Sequence, residues 1–360
     1  MKRTARAISP PGKPTIAGAL AVGLRRRGRR PLRCLVTGGA GFIGSHLVEG
    51  LAARGDRVLV LDDLSTGRLS NLDAALASDG VEFVEGSVLD AHLVDECMRS
   101  VDACVHLAAA VGVQLVVEQP LDSVLLNVRG AETVLSSAAD HARRAVFAST
   151  SEVYGKNGGS APVDEDADRV LGSARKGRWG YALSKSLGEF LAYQLHRELG
   201  AQTIVVRLFN TVGPRQRGAY GMVLPRFVRQ ALRGEPLTVY GDGRQTRCFC
   251  HVADAVDGIL RLLDEEAAVG GIFNIGTREQ VTIGDLARRV IELSGSESTV
   301  SLVPYEEAFG EGFEELGRRV PDTTALEART GWRPAKTLDD AIYDVIAFER
   351  DIVSAAEAVA

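Results

Sequence analysis

The sequence has few of the residues that cross-link a chain or ligate a metal. Its five cysteines, an odd number in 360 residues, include no Cys-x-x-Cys pair and no Cys/His ligand spacing. That pattern argues against a disulfide framework and against a metal site, and it fits reduced thiols in a cytoplasmic protein. No acid occurs in residues 1–33, which carry ten Lys/Arg. The apolar stretch there, "IAGALAVGL", comes before the basic run "RRRGRR", the reverse of a secretory signal, and is too short to span a bilayer. Residues 1–31 are therefore expected to be a disordered basic extension. The remaining 32 basic residues face all 47 acidic ones, a balance of −15, which excludes nucleic acid as the main partner. No membrane partner is expected either.

What is present reads as an ordinary soluble globular chain, 45% hydrophobic and 25% charged, long enough for two modest domains. From Leu32, short apolar runs alternate with helical patterns: "RCLVTG", "RVLVLDD", "VEFVEG", "ACVHLAA", "AVFAST" and "TIVVRLFN". Strands alternating with helices predict an α/β fold, a doubly wound parallel sheet covered on both faces. After Asn210 the texture turns rich in Pro and Gly, which predicts a smaller mixed C-terminal lobe. Two helix starts stand out there, Thr282 before "IGDLARRVIEL" and Thr337 before "LDDAIYDVIAFER", each with Asp three residues on. No internal repeat is visible. The expected division is a nucleotide-binding domain over 32–207, with 246–270 returning to it, and a lobe built from 208–245 and 271–350.

In "CLVTGGAGFIGSH", Gly38, Gly41 and Gly44 follow the first strand and open the first helix, a spacing that brings backbone close to a pyrophosphate. The second strand ends in Asp62, 18 residues after Gly44, where an acid suits the ribose 2′-hydroxyl of NAD and repels a 2′-phosphate. NAD is thus the expected cofactor on a Rossmann-type sheet. Further on, "RWGYALSK" sets Tyr181 and Lys185 four residues apart, on one face of a predicted helix. A lysine ammonium and a bound nicotinamide cation would make such a phenol usable as a base. Between these lies "VFASTSEVYG", an apolar run that stops at Ser149, Thr150 and Ser151 and continues with Glu152.

Together these motifs resemble the extended short-chain dehydrogenase/reductases, the NAD-dependent epimerase/dehydratase family acting on nucleotide sugars. The resemblance runs from Leu32 to about Arg350. It implies a cofactor site at Gly38, Gly41, Phe42, Ile43, Gly44, Asp62, Val88 and Leu107, reached also by Tyr181 and Lys185. Ser87 stands where many relatives have Asp, leaving adenine to the backbone or Val88. The resemblance gives Thr150 a place beside Tyr181 and Lys185 in hydride transfer. It also implies a UDP-sugar site at Asn210, at the backbone near Val239 and Tyr240, and at Arg247 for the diphosphate.

Thr150-Ser151-Glu152 lacks the Asp of the family's 4,6-dehydratases and looks like the UDP-glucuronate decarboxylases. "YEEAFGEGFEELGRRVPD" is similar to the decarboxylase segment that carries a catalytic arginine, here Arg319. The implied catalytic set is Thr150, Ser151, Glu152, Tyr181, Lys185 and Arg319, with Arg319 also binding substrate. The implied product is UDP-xylose, or UDP-4-keto-pentose if the intermediate is released. A UDP-sugar 4-epimerase remains open, since Arg-x-Pro-Asp also occurs in epimerases, as does a non-catalytic NAD-sensing protein. A homodimer is expected through helices near Leu121–Ala139 and Tyr181–Leu199.

Overall fold

The computed structural model describes residues 30–111, 120–157, 161–218, 222–305, 307 and 318–357. The basic extension up to residue 29, and most of the segment leading to Arg319 (306 and 308–317), lie outside the described residues.

Strand β1 (Arg33–Thr37) leads through the glycine turn into helix α1 (Phe42–Ala53), and β2 (Arg57–Asp62) and β3 (Val81–Glu85) follow. Helix α2 (Ala91–Arg99) then leads to β4 (Ala103–His106), and α3 (Pro120–Asp140) to β5 (Arg144–Thr150). Helix α4 (Trp179–Leu199) precedes β6 (Thr203–Leu208). These strands, with β11 (Ile272–Ile275), form one sheet in the order β11-β6-β5-β4-β1-β2-β3, and every adjacent pair is parallel. Their near-continuous burial fits a sheet covered on both faces. One face packs Val36, Val60, Val105 and Val146 against α1 residues such as Leu47 and Leu51, while the other packs Leu35, Leu59, Cys104 and Phe147 beneath α3 and α4.

The strand order reverses beside β1, because β2 lies on one side of it and β4 on the other. The carboxyl ends of β1 and β4 therefore frame a crevice, the place where open α/β sheets bind ligands.

The lobe has its own core. Helices α5 (Val223–Leu232), α7 (Ile283–Ser294) and α8 (Leu338–Glu357) bury Phe227, Leu286 and Ile342 together with Val239 of β8 (Leu237–Tyr240). Both anticipated helix starts are present. Thr282 Oγ1 accepts the Asp285 amide at 3.0 Å, and Thr337 and Asp340 cap each other reciprocally at 2.8 and 3.2 Å.

Two expected boundaries move. Ile272–Ile275, assigned to the lobe from sequence, is the edge strand of the main sheet and pairs with Val205–Leu208. Residues 246–251, assigned to the nucleotide domain, lie outside that sheet. There β9 (Thr246–Cys248) pairs with β12 (Gln280–Thr282), and β10 (Cys250–His251) pairs with β7 (Thr211–Val212). The chain rejoins the nucleotide domain only with α6 (Val252–Asp264), whose Val256, Ile259 and Leu263 join the core over α1.

Candidate active site

At the crevice the glycines are needed for space as well as conformation. Gly38 has φ +71°, and a Cβ on it would meet the Ala108 amide nitrogen at 2.6 Å; one on Gly44 would meet the Gly38 carbonyl at 2.1 Å. Both contacts are impossible, so backbone from β1, β4 and α1 converges only because side chains are absent. Gly41 is the N-cap of α1 without a side-chain cap. The first amides of that helix, at Phe42 and Ile43, thus point into a cradle suited to a pyrophosphate. Asp62 accepts the Ala40 and Leu64 amides, each at 2.9 Å, and so folds the following loop onto the glycine turn. A carboxylate retains acceptor capacity beyond two bonds, so a ribose hydroxyl can still be held there. Leu107 continues from β4, its amide donating to Thr37 at 3.0 Å. Val88 is a core residue whose side chain packs against Gly130. These residues fit a dinucleotide.

Across the crevice, the three hydroxyls at the end of β5 have different environments. Ser149 is buried and donates to Glu189, part of a network in which Arg207 bonds Glu189 at 2.9 Å and Tyr154 at 2.9 Å. Tyr154 in turn donates to Asn274 at 2.7 Å. Ser149 thus ties β5 to α4, β6 and β11 rather than facing a ligand. Ser151 is buried in the short 3₁₀ turn Ser151–Tyr154, which Thr150 caps by accepting the Glu152 amide at 3.2 Å. Thr150 also shares a side-chain hydrogen bond with Tyr181.

Lys185, one turn beyond Tyr181, is buried and donates to the Ala148 carbonyl at 2.8 Å, with its ammonium 4.9 Å from the Phe147 ring centroid. Burial lowers the Lys185 ammonium to about 8, with Glu189 opposing. The Tyr181 phenol is pushed upward, first by burial and then by the Glu152 carboxylate, while the bond to Thr150 pulls it down. A base role for Tyr181 therefore requires added positive charge, which the Lys185 ammonium and a bound nicotinamide cation would supply. A consequence for rate against pH follows from the sign of the Lys185 shift. The ammonium is present below about pH 8 and is lost as pH rises through it, so turnover falls above about pH 8. A rate profile flat to pH 10 would contradict this role.

Glu152, whose carboxylate acts on Tyr181, belongs to a group of charged residues that the sequence only partly announces. Glu152 Oε2 lies 3.7 Å from Arg178 Nη2. The same carboxylate acts electrostatically on Arg247 and on Arg319. Arg319 is 5% exposed, and burial lowers its guanidinium to about 10, with Glu152 opposing. Its Nε and Nη1 are buried with no hydrogen-bond partner among the described residues. Arg318 donates to Gln280 at 2.6 Å. A buried guanidinium without a partner among the described residues is costly, and an anion beside Arg319 would relieve that cost.

The remaining expected substrate residues lie along the lobe's edge. Asn210 donates to the Cys248 carbonyl at 3.1 Å and so braces β9, which carries Arg247. Val239 is wholly buried, and the Tyr240 carbonyl accepts Gln245 at 2.9 Å while the Arg226 guanidinium sits 4.1 Å from the Tyr240 ring centroid. Arg178 and Tyr305 carried no expected role. Tyr305 acts on Arg247 electrostatically and packs where a side chain on Gly241 would stand. Among the described residues no cluster of His, Cys, Asp or Glu is arranged to hold a metal ion, and no helix is long and apolar enough to cross a membrane.

With the geometry set out, comparison with known proteins gives the family. The model of the NAD dependent epimerase/dehydratase family matches residues 34–276. This chain belongs to that family. Among curated family members, a UDP-N-acetyl-alpha-D-glucosaminuronate decarboxylase of Bacillus cytotoxicus is 40% identical over 323 residues, covering 89% of this chain and 98% of that one. UDP-glucuronic acid decarboxylase 2 of Arabidopsis thaliana is 36% identical, covering 89% of this chain and 68% of the relative. Among solved structures, a dTDP-glucose 4,6-dehydratase of Streptomyces venezuelae, crystallised with NAD, superposes with a TM-score of 0.80 at 32% identity, covering 89% and 97% of the two chains. The cofactor of this epimerase/dehydratase family member is NAD.

Proposed function

We propose that this chain decarboxylates UDP-glucuronate through a UDP-4-keto intermediate. The observation that carries the reading is the buried guanidinium of Arg319, without a hydrogen-bond partner for Nε and Nη1, beside Glu152 at the end of the strand that carries Thr150. Simple 4-epimerisation needs a hydride site but no carboxylate receptor.

The bound nicotinamide supplies one function, accepting a hydride from the sugar and returning it. The chain's residues do the rest. Tyr181 takes the proton of the C4 hydroxyl as the hydride leaves C4, and Thr150 and Lys185 support the tyrosinate. The resulting ketone lies β to the C6 carboxylate, which Arg319 orients. When the C5–C6 bond breaks, its electron pair moves into the carbonyl to give an enolate, and carbon dioxide departs. Tyr181 and Thr150 hydrogen-bond the enolate oxygen. Protonation at C5, through a water held between Glu152 and Arg319, restores the ketone. Return of the hydride to C4, with a proton from Tyr181, gives UDP-xylose. Arg247 holds the diphosphate, its planar fork matching phosphate oxygens.

A second reading has the same chemistry on UDP-N-acetylglucosaminuronate, favoured by the activity of the relative that is 40% identical. Incubating NAD-loaded protein with each uronate in turn and reading product masses decides between them. Loss of carbon dioxide from UDP-glucuronate alone, or at the higher rate, supports the first reading. An isomer of unchanged mass would make the protein an epimerase.

Five free, buried thiols favour a reducing, cytoplasmic compartment. A homodimer is supported by the outer face of α4, where Leu183, Leu187, Phe190 and Tyr193 are exposed at helical spacing, with Leu121 of α3 also exposed. A contiguous apolar face of this kind marks an interface. Phe190→Glu is expected to convert a dimer to a monomer in sedimentation; a wild type that sediments as a monomer would contradict the assignment.

A further inference from the structure

Glu152 sets a problem for the reading above, because a site built for a substrate carboxylate holds a carboxylate of its own. If Glu152 closed on Arg319, it would occupy the receptor. It does not do so: Arg319 Nε and Nη1 have no hydrogen-bond partner among the described residues, although Glu152 is close enough to act on Arg319 electrostatically. The group against Glu152 is instead Arg178, at 3.7 Å.

Arg178 is itself held in place. It is the N-cap residue of α4, three positions before Tyr181, and its guanidinium carbon lies 5.6 Å from the centroid of the Trp179 ring. Trp179 is fully buried, and its indole fills the space at Gly172, where an added Cβ would meet Nε1 at 2.0 Å. The Lys156 ammonium lies 5.7 Å from the same ring. An arginine beside a locked indole has few orientations, so its fork is pre-organised. Only 11% of the Arg178 side chain and 26% of the Glu152 side chain are exposed, which keeps solvent screening of the pair low.

We propose that Arg178 is a positioning residue that engages Glu152 and thereby keeps Arg319 open for the carboxylate of the uronate. The proposal rests on the decarboxylase reading and adds a device to it: two arginines divided between two carboxylates, one from the protein and one from the substrate. Without Arg178, Glu152 turns to Arg319 and competes with the substrate. The defect therefore belongs to Glu152, and removing Glu152 should relieve it.

The test is calorimetric titration of UDP-glucuronate, and separately of UDP, into wild type, Arg178→Gln, Glu152→Gln and the double variant, each loaded with NADH, which cannot oxidise the sugar. Arg178→Gln is expected to weaken UDP-glucuronate by about tenfold or more and UDP by less than about twofold. The double variant is expected to bind UDP-glucuronate within about threefold of Glu152→Gln alone. Arg178→Met keeps an apolar stem beside Trp179 and gives the same pattern if the glutamine variant does not fold. Equal weakening of UDP and UDP-glucuronate would mean that Arg178 merely supports the fold, and the proposal falls. It falls also if the double variant binds no better than Arg178→Gln, or if Arg178→Gln binds like wild type. A wild type that prefers UDP-glucuronate no more than UDP removes the decarboxylase reading itself, an outcome distinct from those three.

Discussion

Arg319→Ala is expected to lower carbon dioxide release from UDP-glucuronate by about 10²–10³-fold, the usual loss when a pre-organised electrostatic contact is removed. The defect should be confined to the second half of the reaction. Tyr181, Thr150 and Lys185 lie on β5 and α4 rather than on the segment that carries Arg319, so at saturating UDP-glucuronate oxidation at C4 survives in the variant and NADH absorbance still develops. Arg319→Lys is expected to recover only part of the rate, because an ammonium is a point charge and cannot hold both carboxylate oxygens in one plane. Mass spectrometry of the sugar nucleotide alongside absorbance at the NADH band separates the two steps. Undiminished carbon dioxide release by Arg319→Ala would remove the arginine from the mechanism.

Tyr181→Phe should stop both halves. The phenol is the proton acceptor for the C4 hydroxyl and shares a side-chain hydrogen bond with Thr150. Loss of a positioned acid–base group costs about 10²–10⁴-fold, so neither NADH nor carbon dioxide should appear at a measurable rate. NAD binding should persist, because the glycine cradle at Gly38 and Gly44 is built from β1, α1 and the end of β4. The contrast between the variants is itself informative: Arg319→Ala leaves oxidation intact, and Tyr181→Phe does not. A Tyr181→Phe variant that releases carbon dioxide like wild type would place the base elsewhere.

Much of this was legible in the sequence because the signals were local. Six strands of the main sheet are short apolar runs bounded by turns, near-continuous inside the sheet and alternating with acids in the edge strand Val81–Glu85, as a parallel sheet covered on both faces demands. The seventh, Ile272–Ile275, escaped because Asn274 interrupts it. That asparagine is fully buried, and its side chain is fully used: Tyr154 donates to its oxygen, and its nitrogen donates to the Val163 and Asp322 carbonyls at 3.1 and 3.0 Å. A polar residue whose partners come from three distant segments leaves no periodic trace.

The same distinction divides the site. Tyr181 and Lys185 are read from helical spacing, the glycines from the turn they must make, and Arg319 from a short motif. Ser149 looked like part of a ligand-facing cluster, yet its hydroxyl bonds to Glu189 inside the protein. Arg178 stands in "GRWGYALSK", which resembles the decarboxylases' Arg-Trp-x-Tyr lead into the active-site helix, but the motif assigns it no partner. Its meeting with Glu152, 26 positions earlier, exists only in three dimensions. Tyr305 was silent for the same reason: its tie to Arg247 crosses from one end of the lobe to another.

The central claim is that a carboxylate receptor, Arg319, stands beside a hydride-transfer site. The most direct measurement uses UDP-glucuronate labelled at its carboxyl carbon, incubated with the wild-type protein and NAD, with the label followed into gas and sugar. The account predicts that the label leaves as carbon dioxide and that the product is a UDP-pentose. Label retained in a UDP-hexuronate of unchanged mass would contradict it.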